Sequence, residues 1–279
     1  MTPPPAEAAV AAAELAPTAS REETPFRRFV TDFAESKVAV AAFAVFVVIA
    51  LLAIFANVIA PQNPYDLAQL DIMDGRMPPG TVGGAGFTYI LGTDDQGRDM
   101  FSGILFGLRI SLMVGAGSAV IAFIVGTSLG LLAAYFGRRT DTIIMRLVDL
   151  QLSFPSILVA LMILAFLGKG ILNVVIAIVA VEWAYYARTV RGTALVERRR
   201  EYIEAAECLA LSKPRIVFRH LLPNCLPPLI VILTMQVARA IALEATLSFL
   251  GLGVPVTEPS LGLLIANGYE YMLSGRYWI

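Results

Sequence analysis

An all-α membrane protein, a polytopic helical bundle, is the fold this 279-residue sequence predicts, and three observations predict it. The chain is 57% hydrophobic and only 15% charged, where soluble domains carry about 25% charged residues. Its mean hydropathy is +0.73. The charges are missing from long apolar blocks and crowded between them, a pattern of spans and loops rather than of a soluble core. The net charge of −1 gives no reason to expect nucleic acid; the expected surroundings are a lipid bilayer.

Residues 1–25 are mostly Ala, Pro, Glu and Thr without apolar period and read as a disordered tail. Segment 26–60 carries the first span, Val38 to Ala60, which Pro61 closes. It exceeds the apolar core of a signal peptide, so it should be retained. Four more spans follow: Ile110 to Phe136, Leu147 to Leu167, Ile171 to Ala187 and Leu226 to Leu250. Each approaches or exceeds the roughly 20 residues that cross the hydrocarbon layer at about 1.5 Å per residue. Backbone groups in lipid must pair within their own segment, so these spans are helices.

Basic residues orient the spans. Arg21, Arg27, Arg28 and Lys37 precede the first span, Arg138 and Arg139 separate the second from the third, and eight Lys and Arg lie between Arg188 and Arg219. The alternate loops have few, so the amino terminus and the 188–222 loop should be cytoplasmic and the 61–109 segment periplasmic. That segment is rich in Pro, Gly and Asp, and at its length an ordered outer cap is expected. Tyr277 and Trp278 look like the interfacial start of a further span, a sixth, beyond Ile279. Cys208 and Cys225 have neither metal-ligand spacing nor an evident reason to pair, and Cys208 should stay reduced on the cytoplasmic side.

The loop of residues 188–222 is too elaborate for a simple connection. Glu201, Glu204 and Glu207 recur every three residues on one side, with Ile203, Ala206, Leu209 and Ala210 on another. Arg200 can reach Glu204 one turn on. Pro214 stops or restarts the helix, and Pro223 opens the fifth span. Two readings fit a short helix of this kind. It either offers its small apolar side to a partner or rests on the membrane as an interfacial amphipathic helix.

Glu204-Ala205-Ala206 followed by Leu222-Pro223 resembles the EAA motif of inner-membrane permeases of ATP-binding-cassette importers. Leu91-Gly92-Thr93-Asp94, Gly97-Arg98-Asp99, Ser102, Gly107 to Leu112, Met145 to Asp149, Phe154-Pro155, Phe218 to His220 and Ala245 to Gly253 are similar to the dipeptide and oligopeptide members, of the C type. The resemblance covers roughly Leu91 to Tyr277. It implies a type I importer permease with six spans, of which one would be missing here, and a permease-like core over 110–279. It also implies a coupling helix that docks in a cleft of the ATPase subunit, through Glu201, Glu204, Ala205, Ala206, Leu209, Ala210, Leu222 and Pro223. The partners it implies are a homologous second permease, two cytoplasmic ATPase subunits that hold ATP and Mg, an extracytoplasmic solute-binding protein and a peptide cargo. The setting is the bacterial inner membrane. Three positions depart from the pattern. Ala210 stands where the family has Gly, which by helix propensity alone should tighten the helix by about 1 kcal/mol. His220 and Leu261 replace a common Ile and Trp.

Charged groups inside spans are costly and usually face a bundle interior or a wet cavity. Glu182, Arg239 and Glu244 are of this kind. They either line a path for a cargo with both charge signs or bond to neighbouring helices and line nothing. Arg239 and Glu244, five apart, lie on different faces of the helix. Arg146 and Asp149, three apart, invite a local ion pair. Pro155 frees the Gln151 carbonyl and should kink the third span, as a gate or as a static bend. Gly126 and Gly130 form a GxxxG face for close packing within the chain or with a partner.

No Gly-rich phosphate loop ending in Gly-Lys-Ser/Thr occurs, so the chain should not hold ATP itself. With one histidine and no nucleophile–base cluster, covalent chemistry is not expected. The rivals are an ion-coupled secondary transporter using Glu182, Glu244 or Asp149 as a proton relay, a membrane scaffold, and a permease for another cargo such as a nickel chelate, glutathione or a sugar.

Overall fold

The computed structural model describes residues 25–279 except Tyr65 and Ala85, so the expected tail lies almost wholly outside the described residues. The chain forms two units, divided between Ile49 and Ala50. In the first, α1 (Pro25–Glu35) leads to Ser36, whose Oγ accepts from the Ala39 N–H at 3.3 Å and caps α2 (Lys37–Ile54). Phe33 stacks edge-on with Phe43 at 5.9 Å. Exposed Phe43, Val45, Phe46 and Val48 make α2 apolar around its circumference, as a helix surrounded by lipid is.

The second unit begins with the end of α2 and the short α3 (Ala56–Ile59), whose Ala56 packs with Leu105 and Phe106. Residues 61–99 then fold into a hydrogen-bonded cap holding one small antiparallel pair, β1 (Thr81–Val82) and β2 (Thr88–Tyr89). The Asp99 Oδ2 accepts from the backbone N–H and the hydroxyl of Ser102 at 2.8 and 2.6 Å. This starts α4 (Met100–Phe136) ten residues earlier than the hydropathy pattern suggests. At about 1.5 Å per residue α4 is about 55 Å long, so it outruns the bilayer and joins the cap to the 188–222 loop.

The helices α5 (Arg138–Ser153) and α6 (Ser156–Leu167) replace the expected kinked third span. They meet at 94°. Pro155 does more than bend a helix. It has no N–H to donate and it holds Phe154 extended at φ −100°, ψ 144°, so the α-helical bonding is interrupted outright. Among the described residues, four helices are long and apolar enough to cross a membrane, and the bent pair makes five if it counts as one span.

Next come α7 (Ile171–Glu197), α8 (Glu201–Cys208), α9 (Lys213–Arg215) with a π-helical turn over Ile216–Leu221, α10 (Leu222–Phe249) and α11 (Leu261–Tyr271). The main core joins Ile110 and Val114 of α4, Leu164 of α6, Ile178 and Val181 of α7, and Leu247 of α10. Small residues let these helices approach. A methyl group on Gly126 would collide with the Trp183 carbonyl oxygen and lie 2.7 Å from Tyr186 Cβ. One on Gly130 would lie 2.5 Å from the Ala187 carbonyl oxygen. The GxxxG face is therefore spent within the chain, on α7. Tyr277 and Trp278 lie in a turn, and Trp278 sits over Gly92 of the cap.

Candidate functional site

At the far end of α4 from the cap, α7 continues past the expected Ala187 to Glu197 and takes in the first part of the 188–222 loop. Arg198 turns the chain there. Its Nη1 donates to the Ala134 and Tyr135 carbonyls at 3.1 and 2.8 Å, and its guanidinium lies 5.3 Å from the centre of the Tyr135 ring. Those carbonyls end α4 without helical partners, and a cation suits the negative end of a helix. Nothing in the sequence marked Arg198 from its two neighbours for this role.

Glu201 and Glu204 occupy the first turn of α8, where a negative charge suits the helix dipole. Both are exposed, as are Ala205, Cys208 and Leu209, the last at 74%. Ile203 and Ala206 point the other way, into a core with Leu131, Val190, Ile216, Leu221 and Leu229. The small apolar side therefore packs on the chain's own helices. Of the residues expected to dock, Ala206 is enclosed, Leu222 half-buried, and Glu201, Glu204, Ala205, Leu209, Ala210 and Pro223 exposed. Arg200 lies 3.7 Å from Glu197 and makes no ion pair with Glu204. The Tyr202 hydroxyl donates to Glu197 Oε2 at 2.8 Å, and burial together with this carboxylate pushes the phenol up to about 12.

The end of α8 corrects the reading of Ala210. The Leu211 N–H reaches back to the Ala206 carbonyl at 3.2 Å and the Ala210 N–H to that of Glu207 at 2.9 Å. These are the paired bonds of a Schellman stop, which needs a left-handed residue at its turn. Ala210 takes that conformation at φ +52°. Its methyl group costs roughly 1 kcal/mol there rather than helping. Ala210→Gly is therefore expected to stabilise the loop by about 1 kcal/mol, read as a higher thermal midpoint of the purified chain.

Two ion pairs tie α5 to α7. Arg191 grips Asp141 with two parallel bonds, Nη2 donating to Oδ2 at 2.6 Å, and Arg188 takes Asp149. Arg188 thus holds the carboxylate expected to pair with Arg146. Both partners of the Arg191–Asp141 pair are largely shielded, at 32% and 24% side-chain exposure. Arg191→Ala should cost about 1 kcal/mol. Asp141→Ala added to it should cost little more, as a double-mutant cycle on unfolding would register.

The mid-span charges have different surroundings. Glu244 is fully enclosed and accepts from Ser111 and Ser248, each at 2.8 Å. It fastens α10 to α4 and offers no surface to a path. Arg239, on another face of α10 as expected, is exposed. Its Nη2 lies 3.3 Å from the Tyr185 hydroxyl, its Nη1 3.4 Å from Gln236 Oε1, and its guanidinium 4.7 Å from the Tyr185 ring centre. Glu182 is 3% exposed, and its Oε2 has no hydrogen-bond partner.

The cap explains the motif that precedes α4. Asp94 Oδ1 accepts from the Gln96 and Arg98 N–H groups, both at 2.9 Å, while burial pushes its carboxyl up. Gly97, at φ +77°, leaves no room for a side chain against the Asp71 carbonyl. Asp74 accepts from the Tyr89 hydroxyl at 2.9 Å and the Gly84 N–H at 2.8 Å.

Spans with a short amphipathic helix at one end and an ordered cap at the other define a multi-pass membrane protein. Residues 126–276 match the model of the binding-protein-dependent transport system inner membrane component, and residues 24–79 match the N-terminal transmembrane domain of oligopeptide transport permease C. The chain belongs to this family of transporter permease subunits. It is 37% identical over 256 residues to a di/tripeptide transport system permease of Pseudomonas aeruginosa, spanning 92% of this chain and 83% of the relative. It is 36% identical over 250 residues to a glutathione transport system permease of Pectobacterium atrosepticum, spanning 90% and 80%. An inward-facing structure of the MetNI methionine ABC transporter shares the fold, with a TM-score of 0.50 and 21% identity over 61% of this chain and 80% of that one.

Proposed function

We propose that the chain is the permease subunit of an ATP-driven importer that moves di- and oligopeptides by alternating access. A second, homologous permease supplies the other half of the path. Two cytoplasmic ATPase subunits hold ATP and Mg, and an extracytoplasmic solute-binding protein delivers cargo to the cap. The amino terminus and α8 face the cytoplasm. The observation that carries this reading is α8 itself. It is packed through Ile203 and Ala206 onto α4, α7 and α10, and it holds Glu201, Glu204, Ala205 and Leu209 outward. A push on the outward face moves the helices beneath it, because interiors this dense transmit displacement. ATP then favours one arrangement of the bundle through its different affinity for the two. The names of the relatives support a peptide cargo, with glutathione, itself a peptide, within the same chemistry.

The test is uptake of labelled peptide into vesicles holding the full complex, driven by ATP or by a proton gradient. ATP-dependent, receptor-dependent uptake is expected. Uptake on the gradient alone would replace this reading with an ion-coupled carrier.

A further inference from the structure

Arg239 is a cation in an apolar helix with no ion pair among the described residues. It stands about 26 Å along α10 from Leu222 and about 15 Å from Phe249 at 1.5 Å per residue. Among the described residues no carboxylate lies within 4.0 Å of it. A guanidinium in lipid is costly, so it belongs against water or an anion. It is also held in place: the Tyr185 ring carries one face, and the Tyr185 hydroxyl and Gln236 Oε1 orient two of its nitrogens. Behind it, one turn before Tyr185 on α7, is Glu182. Glu182 Oε2 and Gln236 Nε2 are both buried without a partner, on residues only 3% and 4% exposed. Buried polar atoms are usually paired, and of these two, Gln236 Nε2 belongs to a side chain that itself bonds the exposed Arg239.

We infer that Arg239, seated on Tyr185 and Gln236, is a binding site for the carboxylate of the cargo as it crosses. This rests on the importer reading above and assigns a ligand group to its path. The planar fork of a guanidinium accepts a carboxylate with two parallel hydrogen bonds, which a peptide's C-terminal carboxylate supplies. Gln236 is a positioning residue; only Arg239 and Tyr185 stand where cargo reaches.

The experiment uses the assembled complex in lipid nanodiscs without the solute-binding protein, so that the receptor's own selectivity plays no part. Equilibrium dialysis compares labelled dialanine with alanyl-alaninamide, which lacks only the carboxylate. Dialanine is expected to bind about tenfold more tightly than the amide. Arg239→Gln should abolish that preference and Arg239→Lys should keep part of it, because it retains the charge and loses the fork. Equal binding of the two peptides by the unaltered complex, binding of neither, or a preference that survives Arg239→Gln each overturns the inference. An acidic side chain of the second permease covering Arg239 would give the first or second of these results. ATP-driven uptake of dialanine into vesicles holding the full complex with its solute-binding protein separates the two proposals: uptake together with equal binding of the two peptides in the dialysis sinks only the Arg239 site, and absence of uptake sinks the importer reading.

Discussion

Glu204→Lys is expected to abolish peptide uptake while leaving the chain folded. Glu204 is exposed, makes no ion pair among the described residues, and its neighbours Ile203 and Ala206 keep the packing of α8. The folding cost is limited to a favourable dipole contact in the first turn, on the order of 0.3–1 kcal/mol at an exposed site. The docking cost is larger. Reversing a charge within a matched interface places like charges together, which costs several kcal/mol, a hundredfold or more in affinity. The complex should therefore lose its ATPase subunits on purification, or keep them and hydrolyse ATP without uptake. Normal uptake together with normal co-purification would move the contact off this face of α8.

Gly126→Val should damage the fold severely. Its β-carbon meets the Trp183 carbonyl oxygen, the Tyr186 β-carbon and the Ala187 backbone nitrogen, and all three are backbone or stem atoms that cannot rotate away. Overpacking a core usually costs 1–3 kcal/mol, and an obstruction by backbone places this site at about 3 kcal/mol or above. The readout is loss of monodisperse protein in detergent and a large drop in thermal midpoint. Gly117 on the same helix is the control, since a methyl group there meets nothing within 4 Å. Gly117→Ala should be neutral or stabilising by up to about 1 kcal/mol. Equal tolerance at both positions would show that α4 and α7 are not in close contact.

The legible parts of the molecule were those written in local pattern. Apolar length located the helices, and the i, i+3, i+4 spacing of α8 separated Ile203 and Ala206 from its acidic residues. Pro155 announced a disturbance in the third span. The Gly126–Gly130 spacing announced a close approach but not its target. Four features were not legible. Arg198 and the neighbouring arginines Arg199 and Arg200 have equal claims by sequence; only the end of α4 selects Arg198. Asp149 finds Arg188, 39 residues away, over the nearer Arg146, because α5 and α7 lie side by side. Ala210 reads as a helix former by propensity, and its left-handed backbone appears only once the Schellman bonds close. Glu244 reads as a mid-span charge like Arg239, and the two have opposite surroundings.

By itself the sequence located the long apolar segments that become helices and showed that the 188–222 loop carries a helix of its own, because these follow from spacing along one chain. Tertiary structure alone decided which charges are enclosed and which are open. Glu244 meets Ser111 across 133 positions of chain, and Arg239 meets Tyr185 across 54. Whether a charge is neutralised by neighbours or left facing outward depends on distances in space, and no periodicity along a single helix contains them.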